Sequence, residues 1–349
     1  MDHWRLDIET EIPLRFPLPP LILSRTMTTT PPTRIETDSF GPRAVPADAL
    51  YGAQTSRSLE NFHLSGTPMP IEIIHGMAWL KLACAKANAK LGLLPADKEK
   101  AIVAACRAVL SGAHDREFPV DLYQAGSGTS SHMNLNEVVA NLANEALGGK
   151  RGAKAPVHPN DDVNMGQSTN NCFPSGAKMA VHGQTLLLLD AFAALEKALR
   201  AKAAEFAGIL KTGRTHLQDA VPVTLGQEFG AYAHAVALAA ARVREAAVRL
   251  RELGIGGNAV GTGINTKATF RAEILLALNE ETGGAFHPAE DGVHLTQFMT
   301  DFAHVSAAFR SAALDLQKIA NDLRLLASGP LTGLGEIRLP PVEPGSSIM

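Results

Sequence analysis

Five short segments gather side chains that could grip and transform a small anion: GSGTSSHMN over residues 126–134, HPNDDVN over 158–164, QSTNN over 167–171, GRTHLQD over 213–219 and PGSSIM over 344–349. Their hydroxyls and amides, with backbone N–H groups at helix starts, can donate several hydrogen bonds to a carboxylate while the helix dipole favours its charge. Together they suit a dicarboxylate. Singly, each has an ordinary structural use, because Ser and Thr ahead of a helix cap it and Asn and Asp stabilise turns. A sixth segment, GIGGNAVGTG over 254–263, has the glycine density of a phosphate cradle but lacks the strand-turn-helix setting of a dinucleotide fold. Cys84, Cys106 and Cys172 are odd in number and widely spaced, with no C-x-x-C. Neither a disulfide framework nor a zinc site is indicated, and the expected compartment is the reducing cytoplasm.

Segments of this kind need a rigid frame. The 349 residues allow two or three domains. With 46% apolar residues, 19% charged and a net charge of −3, the chain has no basic excess to collect phosphates, so nucleic acid and anionic membrane are not expected partners. It also has no run of 18 uncharged apolar residues, and no membrane span is expected. Residues 1–33 read as a disordered tail with a possible true start at Met27. The apolar stretch there carries Arg15 and four prolines and follows acidic residues, unlike a secretory signal.

Residues 34–167 alternate short helical stretches, such as 73–91 and 97–110, with Gly- and Pro-rich loops, which predicts an irregular, mostly helical N-terminal domain. Residues 168–349 change to long helices. Phe229, Tyr232, Val236, Ala239, Val243, Ala246 and Leu250 form one apolar seam. Leu295, Phe298, Phe302, Val305, Phe309, Ala312, Leu316, Ile319, Leu323 and Leu326 form another, read as a single helix because no proline interrupts it. Leu188, Phe192, Leu195, Leu199 and Phe206 form a looser third. The fold class is all-α, with three long helices burying these seams on one another. A helix of roughly 35 residues is about 50 Å long, more than a small domain is wide, so a homo-oligomeric bundle is expected.

In this order and wording, the five segments resemble the fumarase/aspartase superfamily of lyases, from about residue 34 to residue 349. GSSIM over 345–349 looks like the start of the superfamily signature GSSxMPxKxN, interrupted before its Pro, Lys and Asn. The resemblance implies anti elimination from a substituted succinate to give fumarate, with no metal or organic cofactor. Removing a proton next to a carboxylate needs a positioned base and donors gathered on the developing dianion. The resemblance assigns Ser346 as that base, its pKa depressed by surrounding donors. It places Thr129, Ser168, Thr169 and Ser347 on the carboxylate beside the abstracted proton, and Asn170, Thr215 and His216 on the other end, with His216 as a candidate proton donor to the leaving group. His158, Asn160 and Asp161 match a second anion site, although Pro159-Asn-Asp reads equally as a turn. The resemblance further implies a homotetramer whose sites each draw on three subunits.

The leaving group is read in two ways. YGAQT (51–55), FPVDLYQ (118–124), STN (168–170), DAVP (219–222) and NDLRLL (321–326) resemble aspartate ammonia-lyases, whereas GSGT (126–129), HPNDD (158–162) and LASGP (326–330) read as class II fumarase. Ser168-Thr-Asn170 weighs most and favours L-aspartate going to fumarate and ammonia, with L-malate going to fumarate and water as the alternative. Asn171 stands where an Asp is usual. A reading of another class is a catalytically dead fragment or helical oligomerisation module. Family members continue beyond the signature into a C-terminal domain that is not in these 349 residues, and on that ground the chain by itself is expected to be inactive or nearly so.

Overall fold

A computed structural model describes residues 32–341 and 343–345. The expected tail lies outside the described residues except at its last two positions. There it is corrected: Thr33 opens β1 (Thr33–Asp38), which pairs antiparallel with β2 (Gly41–Pro46). The Arg34 guanidinium donates to the carbonyls of Pro46, Ala47, Ala49 and Tyr51 and so fastens the chain leading into α1 (Ala53–Asn61).

The two helices expected from apolar spacing appear as α2 (Ile71–Lys90) and α3 (Ala96–Leu110). They pack with α4 (Thr129–Ala146) in the first core, and α5 (Thr169–Glu205) starts there too. A Cβ on Gly76 would lie 2.2 Å from the Gly176 carbonyl oxygen, so α2 and α5 touch backbone to backbone at a point only glycine permits. At 1.5 Å per residue, the 37 residues of α5 extend about 55 Å and carry the chain into a second core.

β3 (Leu210–Thr215) and β4 (Gln218–Thr224) form a hairpin at the far end of α5. From there α6 (Leu225–Ala247) returns along α5, its N-terminus closed by a capping box between Thr224 and Gln227. Every residue of its expected seam, from Phe229 to Leu250, is buried. The short strand β5 (Glu252–Leu253) leads into α7 (Phe270–Thr282), which rejoins the first core, and β5 then pairs in parallel with β6 (His287–Pro288).

The last expected helix is corrected. It is two helices, α8 (Gly292–Gln297) and α9 (Thr300–Leu326), with Phe298 extended at φ −111° and ψ 127° between them. α9 buries Val305, Ala312, Ile319 and Leu326, a seven-residue repeat, while Phe309, Leu316 and Leu323 are half-buried. The second core joins α5, α6 and α9 through Phe192, Leu199, Phe229, Val236, Ala312 and Ile319. The third seam is only partly buried, since Leu195 is exposed beside Leu186 and Leu187. Three two-stranded pairs are the only sheets among the described residues, so the helical class holds. No described helix is long and apolar enough to cross a membrane.

Candidate active site

Two of the polar segments meet at paired helix N-termini. Gly128, at φ +81°, turns the chain into α4, and a Cβ there would meet the Phe173 ring of α5 at 2.4 Å. The next residue, Thr129, is exposed at the first position of α4 and exchanges a 2.7 Å hydrogen bond with the Ser127 hydroxyl. Ser168 caps α5, its Oγ accepting from the Asn170 N–H at 3.2 Å. Thr169 follows, half-buried, with its Oγ1 2.8 Å from His132 Nδ1 one turn into α4. The N-terminal ends of α4 and α5 thus bring hydroxyls and positive dipole ends to one place, the requirement for seating a carboxylate.

Asn170 is exposed, and its Nδ2 donates to the Ala259 carbonyl at 2.8 Å. Its neighbour Asn171 is buried and donates from Nδ2 to the Asn258 carbonyl at 2.9 Å. Both moor the glycine-rich loop of residues 254–263 against α5, so that loop serves as a strap. The Asn171 bond also gives a physical reason for an amide where a carboxylate is usual, because an ionised Asp would face a carbonyl oxygen.

Thr215 and His216 do not join this cluster within one chain. They sit on the β3–β4 hairpin. His216 and Leu217 are its two turn residues, with φ of +52° and +59° and Thr215 paired to Gln218. Two successive left-handed residues are what a type I′ turn demands, yet neither is Gly or Asn, and such strain concentrates at functional sites. His216 is exposed and lines an open cavity of about 450 Å³ with Arg214, Tyr232, Lys318, Asp322 and Leu326. Arg214 pairs with Glu336, and Lys211 bridges Glu228 at 2.8 Å and Glu336 at 2.5 Å, which fixes the hairpin to the bundle.

His158 supports the turn reading of its segment. Its Nδ1 accepts from the Asn160 and Asp161 N–H groups at 3.3 and 3.1 Å, capping a single helical turn, while Asn160 and Asp161 face solvent. The proposed base Ser346 and its neighbour Ser347 lie outside the described residues. No group of three His, Cys, Asp or Glu side chains able to hold a metal occurs among the described residues.

Two residues beside these helix starts went unread in the sequence. Lys81 is fully buried, with Nζ 2.6 Å from His132 Nε2 and donating to Asn164 Oδ1 at 2.8 Å. Burial pushes the Lys81 pKa down. It holds His132 well below its usual value too, with the nearby Lys81 adding to that effect. A signal was present: the stretch around Lys81, MAWLKLACA, is apolar on every face, and a lysine inside an all-round apolar helix must be buried and partnered.

The long-helix bundle, with two hydroxyl-bearing helix starts brought together, matches known proteins in both sequence and fold. The family model described as Lyase matches residues 41–349. The chain is 49% identical to the fumarate hydratase class II of Ralstonia nicotianae over 318 residues, covering 91% of this chain and 69% of that protein. It is 50% identical to the fumarate hydratase class II of Chromobacterium violaceum, covering 90% and 69% of the two chains. The structure superposes on the fumarate lyase:delta crystallin structure from Brucella melitensis with a TM-score of 0.88 at 46% identity, covering 91% of this chain and 70% of the other. It superposes equally, at 38% identity, on a class II fumarase from Schistosoma mansoni, covering 91% and 70%. The chain belongs to the fumarase/aspartase superfamily of lyases.

Proposed function

We propose that the protein is a fumarate hydratase, interconverting L-malate with fumarate and water, within a homotetramer in the cytoplasm. The observation that carries the chemistry is the joining of the Thr129 and Thr169 helix ends through His132, which turns two hydroxyl-bearing helix starts into one carboxylate seat. For the leaving group, the relatives at 49 and 50% identity named as fumarate hydratases outweigh the aspartate-like Ser168-Thr-Asn170. Thr169 and a serine in its place differ by a methyl group and offer the same hydroxyl, so that position discriminates weakly between water and ammonia.

In this reading Thr129, Ser168 and Thr169 hold the carboxylate beside the abstracted proton and Ser346 takes that proton, with Ser347 beside it. Asn170, Thr215 and His216 grip the other end, the last two from a different chain. Exposed Leu186, Leu187 and Leu195 on α5 and Leu314 on α9 give the bundle apolar faces to bury on partner copies.

The test follows fumarate absorbance with the full-length gene product given L-malate and, separately, L-aspartate. Malate alone should yield fumarate, and Ser346→Ala should abolish it. Fumarate from aspartate alone would restore the ammonia-lyase reading that Ser168-Thr-Asn170 favours. Fumarate from neither would favour a helical module without catalysis.

A further inference from the structure

Behind Thr169, three side chains from three helices form a continuous donor chain. Lys81 of α2 contacts His132 of α4, and His132 contacts Thr169 of α5, at 2.6 and 2.8 Å. Lys81 and His132 are both fully buried, and the buried thiols of Cys84, Cys106 and Cys172 lie around Lys81. Burial raises the pKa of all three thiols, so they stay protonated and supply no counter-charge. A lysine this deep is costly unless its hydrogens are placed, and here Asn164 Oδ1 receives one while His132 Nε2 lies within hydrogen-bond distance.

The direction of these bonds determines what Thr169 can do. If Lys81 donates to His132 Nε2, the imidazole carries its proton on Nδ1 and donates it to Thr169 Oγ1. The threonine then has its acceptor side occupied and its own O–H hydrogen turned outward, the correct polarity for a carboxylate. If the imidazole instead donated from Nε2 to a neutral Lys81 amine, Nδ1 would take the threonine hydrogen. An oxygen lone pair would then face the anion.

We propose that Lys81 and His132 are positioning residues: Lys81 holds His132 neutral with its proton on Nδ1, and His132 thereby holds the Thr169 hydroxyl in the donating orientation. The kinetic part of this inference rests on the fumarate hydratase reading, whereas the direction of the donor chain does not. Asn164 fixes the first donor through Lys81. In this arrangement Lys81 acts on the Thr169 hydroxyl through two successive polarised hydrogen bonds rather than by contact.

The first measurement uses the 349-residue chain labelled with ¹⁵N-histidine, with the His132 signal assigned by its displacement in Thr169→Val. The expected spectrum near pH 7 shows His132 protonated at Nδ1 and bare at Nε2. An Nε2–H tautomer or an imidazolium overturns the proposal, whatever the protein's activity.

The second measurement uses the protein and L-malate. Thr169→Val should lower kcat/KM about 10- to 100-fold, the range for losing a hydrogen bond to a charged group. Thr169→Ser should restore it. His132→Asn should lower kcat/KM in the parent, yet add no further loss in the Thr169→Val background, because it acts through that hydroxyl. Additive losses would mean that His132 serves only packing and would overturn the positioning role. Absence of malate turnover in the unmodified protein contradicts the hydratase reading alone, since the tautomer still decides the direction of the chain.

Discussion

The two parts of the candidate site are built in opposite ways. The seat at the ends of α4 and α5 is backed by the interior: Thr169 rests on buried His132, which rests on buried Lys81, and Asn170 and Asn171 are moored to the glycine-rich strap. The β3–β4 hairpin presents an exposed Thr215 and His216 on a strained two-residue turn, with Leu210, Leu217 and Val221 all more than 70% exposed. The hairpin leaves much apolar surface uncovered, whereas the α4 and α5 ends are packed against their own chain's interior. About 55 Å of α5 separates them, so one molecule cannot close both on a small dicarboxylate. The contrast teaches that one chain's folding brings the α4 and α5 ends together, whereas under the proposed assembly the hairpin would act on a partner copy.

The contrast would break most severely at the base of the seat. Gly76→Ala forces a methyl into the Gly176 carbonyl and should destabilise the chain by about 3 kcal/mol, pushing α5 away from α2 and the seat with it. Urea unfolding checks this, and an unchanged midpoint would deny the backbone contact. Next in size, His216→Ala in the full-length protein should remove most malate turnover while shifting stability by no more than about 0.5 kcal/mol, as expected for an exposed side chain. A large loss of stability would instead make the hairpin tip a structural element.

The pH dependence of melting should sharpen the distinction, since the seat contains a histidine whose pKa is held far down. The unfolded His132 binds a proton below its usual 6.5 and the folded one does not, first because of burial and then because of Lys81. Its contribution to stability is therefore complete above about pH 6.5 and is lost as the pH falls toward the folded value, at up to about 1.4 kcal/mol per pH unit. Tm measured against pH should flatten over that window in His132→Asn. The smallest effect is expected from Leu217→Gly, which relieves a left-handed strain of about 1 kcal/mol and should raise Tm slightly in the unassembled chain.

Apolar periodicity made the frame legible. The α6 seam is buried at every expected position because α6 packs between α5 and α9 and has little freedom to expose it. The break at Phe298 was not legible, since no Pro or Gly stands between Leu295 and Val305, and the chain ends α8 by tertiary packing rather than by a local stop residue. The hairpin was missed because a turn with two left-handed residues is normally announced by Asn-Gly or Gly-Gly, and here the turn residues are His216 and Leu217. Two of the polar segments fall at the starts of α4 and α5, yet Lys81 and His132 stayed hidden. A contact between residues 51 positions apart leaves no local spacing to read.

The most direct test of this divided site is complementation between two damaged forms of the full-length protein, Thr169→Val and His216→Ala. Each should turn over malate poorly alone. When they are dissociated together and reassembled, mixed oligomers should contain sites that pair an intact seat from one chain with an intact hairpin from another, and activity should rise well above the sum of the two. Activity that stays at that sum would contradict a site shared between chains.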